Sequence, residues 1–174
     1  QSFCTTPWLT ERHGYDSTTA DFECKGTELV RYKGPGGAVV IPEGITEVRG
    51  RAFMDRTDIT AVAIPAGVKG LGWNVFSGCT ALEEISFPEG IKRLGEKTLA
   101  GCTNLKRVAL PESLTFIGGK CFSGCTSLES LTVPKKVEEI SHDAFYGCIR
   151  LRDLRVERKS EASGLRKTNW QLNS

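Results

Sequence analysis

Seven cysteines and two histidines have the widest chemical reach of any residues in this chain of 174. Four of the cysteines, Cys79, Cys102, Cys125 and Cys148, stand 23 residues apart. Thiols in that number suit a zinc centre, disulfides between neighbours, or a nucleophile served by a base. Each use makes a demand on spacing. Zinc ligands usually come as C-x2–4-C pairs, and Cys121 with Cys125 is the sole pair of that kind. Four thiols set out in a line do not make a tetrahedron. His142 adjoins Asp143, but no nucleophile stands at a defined partner position; His13 falls in an N-terminal arm. The stretch GPGG at residues 34–37 lacks the lysine and helix that follow a phosphate loop, so it reads as a turn. The expectation is a protein that is not an enzyme, with no catalytic residues, no metal ligands and no cofactor.

The spacing of the cysteines belongs to a larger pattern. The phrase FSGCT occurs at residues 76–80 and again at 122–126, and an apolar residue followed by proline recurs at Ile41, Ile64, Phe87, Leu110 and Val133. Each of these last steps is 23 residues. With that apolar residue as column 1, five full units run from 41 to about 156. Column 5 is Ile45, Val68, Ile91, Leu114, Val137; column 8 is Val48, Leu71, Leu94, Ile117, Ile140. Columns 13, 19 and 22 stay apolar in the same way, column 13 being mostly phenylalanine. A unit this short cannot bury its own apolar face, whereas stacked units bury one continuous core. The four cysteines share column 16, so stacking lines them up about 4.8 Å apart, one strand spacing, as a ladder of small apolar groups pointing inward. Cys121 takes the small-residue column 12 and is expected to fill core space.

Each unit can be read locally. Columns 19 to 2 have the form L-x-x-I-x-I-P, whose second half alternates apolar and polar and reads as a short strand, which the proline of column 2 ends because it has no amide to donate. Columns 5 to 8 hold a second extended piece. Columns 10 to 15 suit one helical turn closed by Gly78, Gly101, Gly124 or Gly147, at a position that wants positive φ. Residues 22–40 read as a capping hairpin and first strand: FEC, a Lys25-Gly26 turn, ELVRY, the KGPGG turn, then AVVI. Residues 1–21 form a separate arm without the repeat. The first residue is Gln1 rather than Met, from which a mature or trimmed chain is expected. Residues 157–174 are a polar, basic tail in which Trp170 and Leu172 either fold back as a partial cap or fray.

The 23-residue period, the core I-P-x-G-[IV]-x-x-[IL]-G-x-x-[AV]-F-x-G-C-T-x-L and the stretch GPGG-x-VVIPEG resemble leucine-rich repeats of the BspA-like class. The resemblance spans roughly residues 22–156. It implies a right-handed repeat solenoid with short parallel strands on the concave face and irregular or short-helical turns outside. It also implies an extracellular or cell-surface location, in secreted or surface proteins of host-associated bacteria and some parasitic protists, and a role in adhesion or recognition without catalysis. Two positions depart from the pattern: Arg56 holds column 16 of the first unit, and Ile149 replaces threonine in the fifth.

Lysine and arginine exceed aspartate and glutamate by 23 − 21 = 2. That balance gives no general attraction to nucleic acid, and no apolar run approaches the roughly 20 residues that span a bilayer. The partner expected is a protein or glycan, for instance from a host, and the chain itself is expected to be a monomer without membrane insertion. Binding is assigned to the exposed columns of the concave strands: Glu83, Glu84, Ser86, Lys106, Arg107, Glu129, Ser130, Thr132, Arg152, Asp153 and Arg155. Small residues in column 23 leave a flat floor, and the charges of columns 20 and 21 orient a partner. The alternative is a spacer domain with no ligand of its own. Phe116 replaces polar neighbours and is the best exposed aromatic anchor; otherwise it packs on an adjacent coil. The basic cluster from Arg150 to Lys167 would suit an acidic glycan, or else is a solvated face. Cys4 and Cys24 lie outside the ladder. In an exported protein they are the candidates for a disulfide pinning the arm to the hairpin; in a reducing compartment they are two thiols.

Overall fold

A computed structural model of the chain describes residues 19–157 together with the two-residue strand β1, Ser2–Phe3. Strands β2 (Phe22–Lys25) and β3 (Glu28–Tyr32) form an antiparallel hairpin, with β1 added antiparallel to β2. From there the chain passes round the solenoid once per unit. The longer strands are β4 (Gly37–Val40), β6 (Ile59–Ala63), β8 (Glu84–Ser86), β10 (Arg107–Ala109), β12 (Ser130–Val133) and β14 (Asp153–Val156). Two-residue strands sit at columns 7 and 8: β5 (Glu47–Val48), β7 (Gly70–Leu71), β9 (Arg93–Leu94), β11 (Phe116–Ile117) and β13 (Glu139–Ile140).

All pairing between coils is parallel, and equal columns face each other: Val39 with Val62, Val62 with Ile85, Ile85 with Val108, Leu131 with Leu154. The register follows from the core. A slip by one residue would turn column 22 into solvent and the charged column 21 inward. The long-strand sheet falls into two ladders, β4-β6-β8-β10 and β12-β14. Hairpin strand β3 pairs with β5, so the hairpin continues the short-strand side rather than the long-strand side.

The outer segment at columns 10 to 15 is not the helical turn expected from sequence. It is a string of hydrogen-bonded turns, and among the described residues the sole helix is a 3-10 turn at Thr19–Asp21. The reason lies in the backbone. Columns 11, 13 and 15 each spend their amide on the next coil: Asn74 N donates to Glu96 O at 2.9 Å, Phe76 N to Thr98 O at 2.9 Å, and Gly78 N to Ala100 O at 2.8 Å. An amide used between coils cannot close a helix within one. Column 15 has positive φ, as its glycines anticipated, at 74 to 76° in Gly78, Gly101, Gly124 and Gly147; Asp55 takes the same conformation in the first coil. Column 11 is also left-handed although it holds Arg51, Asn74, Lys97 and Lys120, which no glycine signalled. This outward ladder runs on from coil three to coil four (Leu99 N to Cys121 O, 2.8 Å), where the long-strand sheet is interrupted.

The core is one column-wise stack. Phe53, Phe76, Leu99 and Phe122 are fully enclosed. The Phe53 and Phe76 ring centroids lie 5.2 Å apart, and Tyr32 of the hairpin joins the stack at 5.4 Å from Phe53. Cys79, Cys102, Cys125 and Cys148 are buried free thiols, as is Cys121. They do more than fill space. Each ladder sulfur donates to the column 13 carbonyl of the preceding coil: Cys79 to Phe53 at 3.1 Å, Cys102 to Phe76 and Cys125 to Leu99 at 3.2 Å, and Cys148 to Phe122 at 3.0 Å. A thiol is the small group that can both pack and donate there.

The same contact explains Arg56. The structural counterpart of a preceding column 13 is Tyr32, whose ring lies on Phe53. Arg56 Nη1 donates to Tyr32 O at 3.4 Å and Nη2 to Gly34 O at 2.7 Å, with its guanidinium 5.0 Å from the Tyr32 ring centroid. Asp58 holds the guanidinium from behind, at 2.9 Å from Nε. The hairpin does not follow the 23-residue spacing, so a longer side chain spans the junction. Arg56→Ala is expected to cost about 1.5–3 kcal/mol, the range for charge-assisted hydrogen bonds. Hydrogen exchange should show the β2 and β3 amides losing protection before those of β8 and β10. Uniform loss throughout the coils would refute this role.

Candidate functional site

The exposed side of the long-strand sheet is built by alternation. Columns 22 and 1 turn inward, so columns 21 and 23 turn out; column 20 precedes the alternating stretch and is exposed as well. Glu83, Glu84, Ser86, Lys106, Arg107, Glu129, Ser130, Thr132, Arg152, Asp153 and Arg155 are all exposed. An open groove of about 910 Å³ crosses β6, β8, β10 and β12. Of the residues named from sequence, Glu84, Ser86, Lys106, Arg107, Ser130 and Thr132 line it. Glu83, Glu129, Arg152, Asp153 and Arg155 lie outside that lining. Its floor is small side chains, among them Ala63, Ser86 and Ala109. One end is formed by Ile64, Leu110, Glu112 and Pro134, from columns 1 to 3. Those columns read in sequence as the stop of a strand, and nothing in their residue types signals a wall.

Three pairs of charges on this face are joined, while Glu129 and Arg152 make no ion pair among the described residues. Arg107 reaches back one coil to Glu84, with Nη2 at 2.8 Å and Nε at 3.1 Å from the same oxygen. Lys106 Nζ lies 3.4 Å from Glu83, and Arg155 lies 2.8 Å from Asp153. In the first two pairs equal columns on successive coils are one strand spacing apart, so opposite signs in one column meet; Arg155 and Asp153 lie two residues apart on the same face of one strand. Exposed pairs of this kind contribute at most about 1 kcal/mol each.

The other chemically suggestive residues are scattered. His142 is exposed on the outer turn. Among the described residues, no group of three or more His, Cys, Asp or Glu is placed to hold a metal ion, and none of their helices is long and apolar enough to cross a membrane. Burial pushes the Cys79 and Cys121 thiols up to about 12, far from the thiolate state that nucleophilic or metal chemistry needs. Cys24 is disulfide-bonded. Its expected partner Cys4 lies outside the described residues, as do His13, the tail aromatic Trp170 with Leu172, and the basic residues beyond position 157. Phe116 is half-buried, with the Arg93 guanidinium 3.9 Å above its ring.

Stacked parallel coils offering an extended sheet face define a repeat solenoid. The chain belongs to the BspA-type leucine-rich repeat family, whose repeat region matches residues 37–157 in six copies. It is similar to the crystal structure of a leucine-rich repeat protein of T. pallidum, at 31% identity and a TM-score of 0.76 over 80% of this chain and 71% of that one. A leucine-rich repeat protein from Bacteroides ovatus is 31% identical with a TM-score of 0.62, over 70% of this chain and 32% of its own. The pneumococcal vaccine antigen PcpA shares the fold at 19% identity and a TM-score of 0.66, over 80% of this chain and 35% of that one. The chain therefore spans about a third of the length of the latter two. None of the curated proteins matches it.

Proposed function

We propose that this chain is a non-catalytic recognition or adhesion module of a secreted or cell-surface protein, binding a protein or glycan through the concave long-strand sheet. The observation that carries the reading is the groove of about 910 Å³ over four strands, in which the small column 23 side chains Ala63, Ser86, Ala109 and Thr132 lie low between the longer ones. A floor of alanine, serine and threonine admits an extended chain or a flat ring close to the sheet, and the paired charges at its rim supply specificity. Surface placement is supported by family membership, by the disulfide at Cys24, since disulfides persist in oxidising compartments, and by the antigen that shares the fold.

A second reading, a spacer domain without its own ligand, is favoured by one observation: the central charges of this face, Arg107 with Glu84 and Lys106 with Glu83, already satisfy one another across coils. Screening the protein against immobilised matrix proteins and glycans, then repeating with Glu83, Glu84, Lys106 and Arg107 reversed in sign, separates the two. Reversing all four keeps the pairs opposite in sign while inverting the surface. Binding of any hit is expected to weaken about tenfold or more, with an unchanged circular dichroism spectrum. If every hit survives the reversal, recognition through this face is wrong; if nothing binds the parent protein, the spacer reading stands.

A further inference from the structure

A second groove, of about 450 Å³, opens on the short-strand side of coils three to five, around columns 7 to 11. That volume lies within the range of ligand-sized pockets, about 300–1,000 Å³. Its floor is bare peptide at Gly95, Gly118 and Gly119. The packing of the coils enforces the bareness at Gly118, where a Cβ would come within 2.8 Å of the Gly95 carbonyl carbon and 3.0 Å of Leu94 O. One wall is Phe116, with the Arg93 guanidinium carbon over its ring at 3.9 Å from the centroid. The guanidinium covers one face of the ring, so the stacked pair forms a platform whose flat outer surface is the guanidinium plane, with hydrogen-bonding groups at its rim and the ring edge beside it.

The remaining walls supply polar groups in balance. Asp143 Oδ1 accepts the Lys120 amide at 3.2 Å, which fixes the carboxylate and leaves its second oxygen to accept. Glu96 stands opposite, 3.2 Å from Lys97. Arg93 and Lys120 make no ion pair among the described residues and remain able to donate. Two cations and two carboxylates line the groove, so its formal charge is zero. Among the lining residues themselves, with Lys97 outside them beside Glu96, a phosphate, a sulfated sugar or an acidic peptide would find no excess of positive charge. A molecule with one apolar face and a rim of adjacent hydroxyls, each able both to donate and to accept, matches every wall.

We infer that this groove binds a neutral pyranose unit of a polysaccharide, its C–H face on the Phe116–Arg93 platform and its hydroxyls between Asp143, Glu96 and Lys120. Trp73, 52% exposed with Arg51 stacked at 4.3 Å, repeats the aromatic–arginine arrangement in column 10 of coil two, one coil before Glu96. It offers a second stacking position to a longer chain. This site does not depend on the concave groove.

Two-dimensional amide NMR of the full chain, titrated separately with malto-, cello-, manno- and xylohexaose, tests it. At least one sugar should shift the amides of Gly95, Gly118, Gly119 and Lys120 in a saturable way. Phe116→Thr, which keeps a strand-forming residue, should weaken that response about tenfold, since an aromatic contact is worth up to about 1.4 kcal/mol. Asp143→Asn, which keeps the acceptor for the Lys120 amide, should weaken it by a smaller factor. Silence at these amides with all four sugars overturns the inference, as does an unchanged affinity in Phe116→Thr or a tighter response to a polyglutamate peptide. Shifts confined to Ala63, Ser86 and Ala109 overturn it too, while leaving recognition by the concave face intact.

Discussion

Raising the pH above 9 is expected to unfold this protein, with its stability falling by about 4 kcal/mol per pH unit. The cause is burial of thiols. Desolvation pushes Cys79 and Cys121 from 9.0 up to about 12, and Cys102 higher still. An unfolded chain releases these protons near the ordinary thiol pKa, whereas the folded chain keeps them. The unfolded state therefore binds fewer protons over that window, and stability falls as pH rises through it; below pH 9 the contribution is complete. Each thiol adds about 1.4 kcal/mol per unit, and three are counted. The interaction between the Cys125 and Cys148 sulfurs raises the first and lowers the second, so that pair is left out. A domain stable by about 5–15 kcal/mol cannot survive such a slope for many units. Urea denaturation at a series of alkaline pH values measures it. Cys121→Ala is the sharp control, because Ala52 and Ala144 already hold column 12 in other coils. It should remove about a third of the slope, and an unchanged slope would mean that burial of these thiols is not what the pH senses.

Phe76→Ala is expected to cost about 3–5 kcal/mol, the range for emptying a buried phenylalanine site. Its ring is fully enclosed and lies on Phe53. The coils on either side are held by hydrogen bonds at columns 6, 9, 11, 13, 15 and 20, so they cannot close over the cavity. Phe76→Leu should cost under about 1.5 kcal/mol, because the backbone of the next coil accommodates Leu99 in the same column. The urea midpoint should drop accordingly with the slope of unfolding unchanged. Equal losses for alanine and leucine would show that stacking geometry, not filled volume, governs this column.

Much of this molecule was legible because a solenoid repeats its argument. Val62, Ile85, Val108, Leu131 and Leu154 share one environment, so the period alone marks the strand, its inward face and its register against the neighbours. The glycines of column 15 announced their backbone conformation, and Val39 marked the first ladder strand. Column 11 was opaque for the opposite reason: arginine and lysine there carry no sign of positive φ, and Asn74, which favours that region, stands alone among the four that adopt it. The helical turn read at columns 10 to 15 failed because local propensity knows nothing of amides donated to another coil.

The candidate site divides along the same line. Which residues leave the long-strand sheet follows from alternation, and so was fixed by residue order. That Glu84 and Arg107 neutralise each other, that Leu110 and Glu112 end the groove, and that Arg56 spans the junction with the hairpin are matters of three-dimensional approach.

Residue order by itself determined the coil, its core columns and its family, since burial of apolar surface at a constant interval admits few other solutions. Only the tertiary structure decided how charges pair, where grooves open, and that each buried thiol bonds a carbonyl of the preceding coil. Those contacts depend on side-chain reach and on the gap between successive coils, and neither is written in a period.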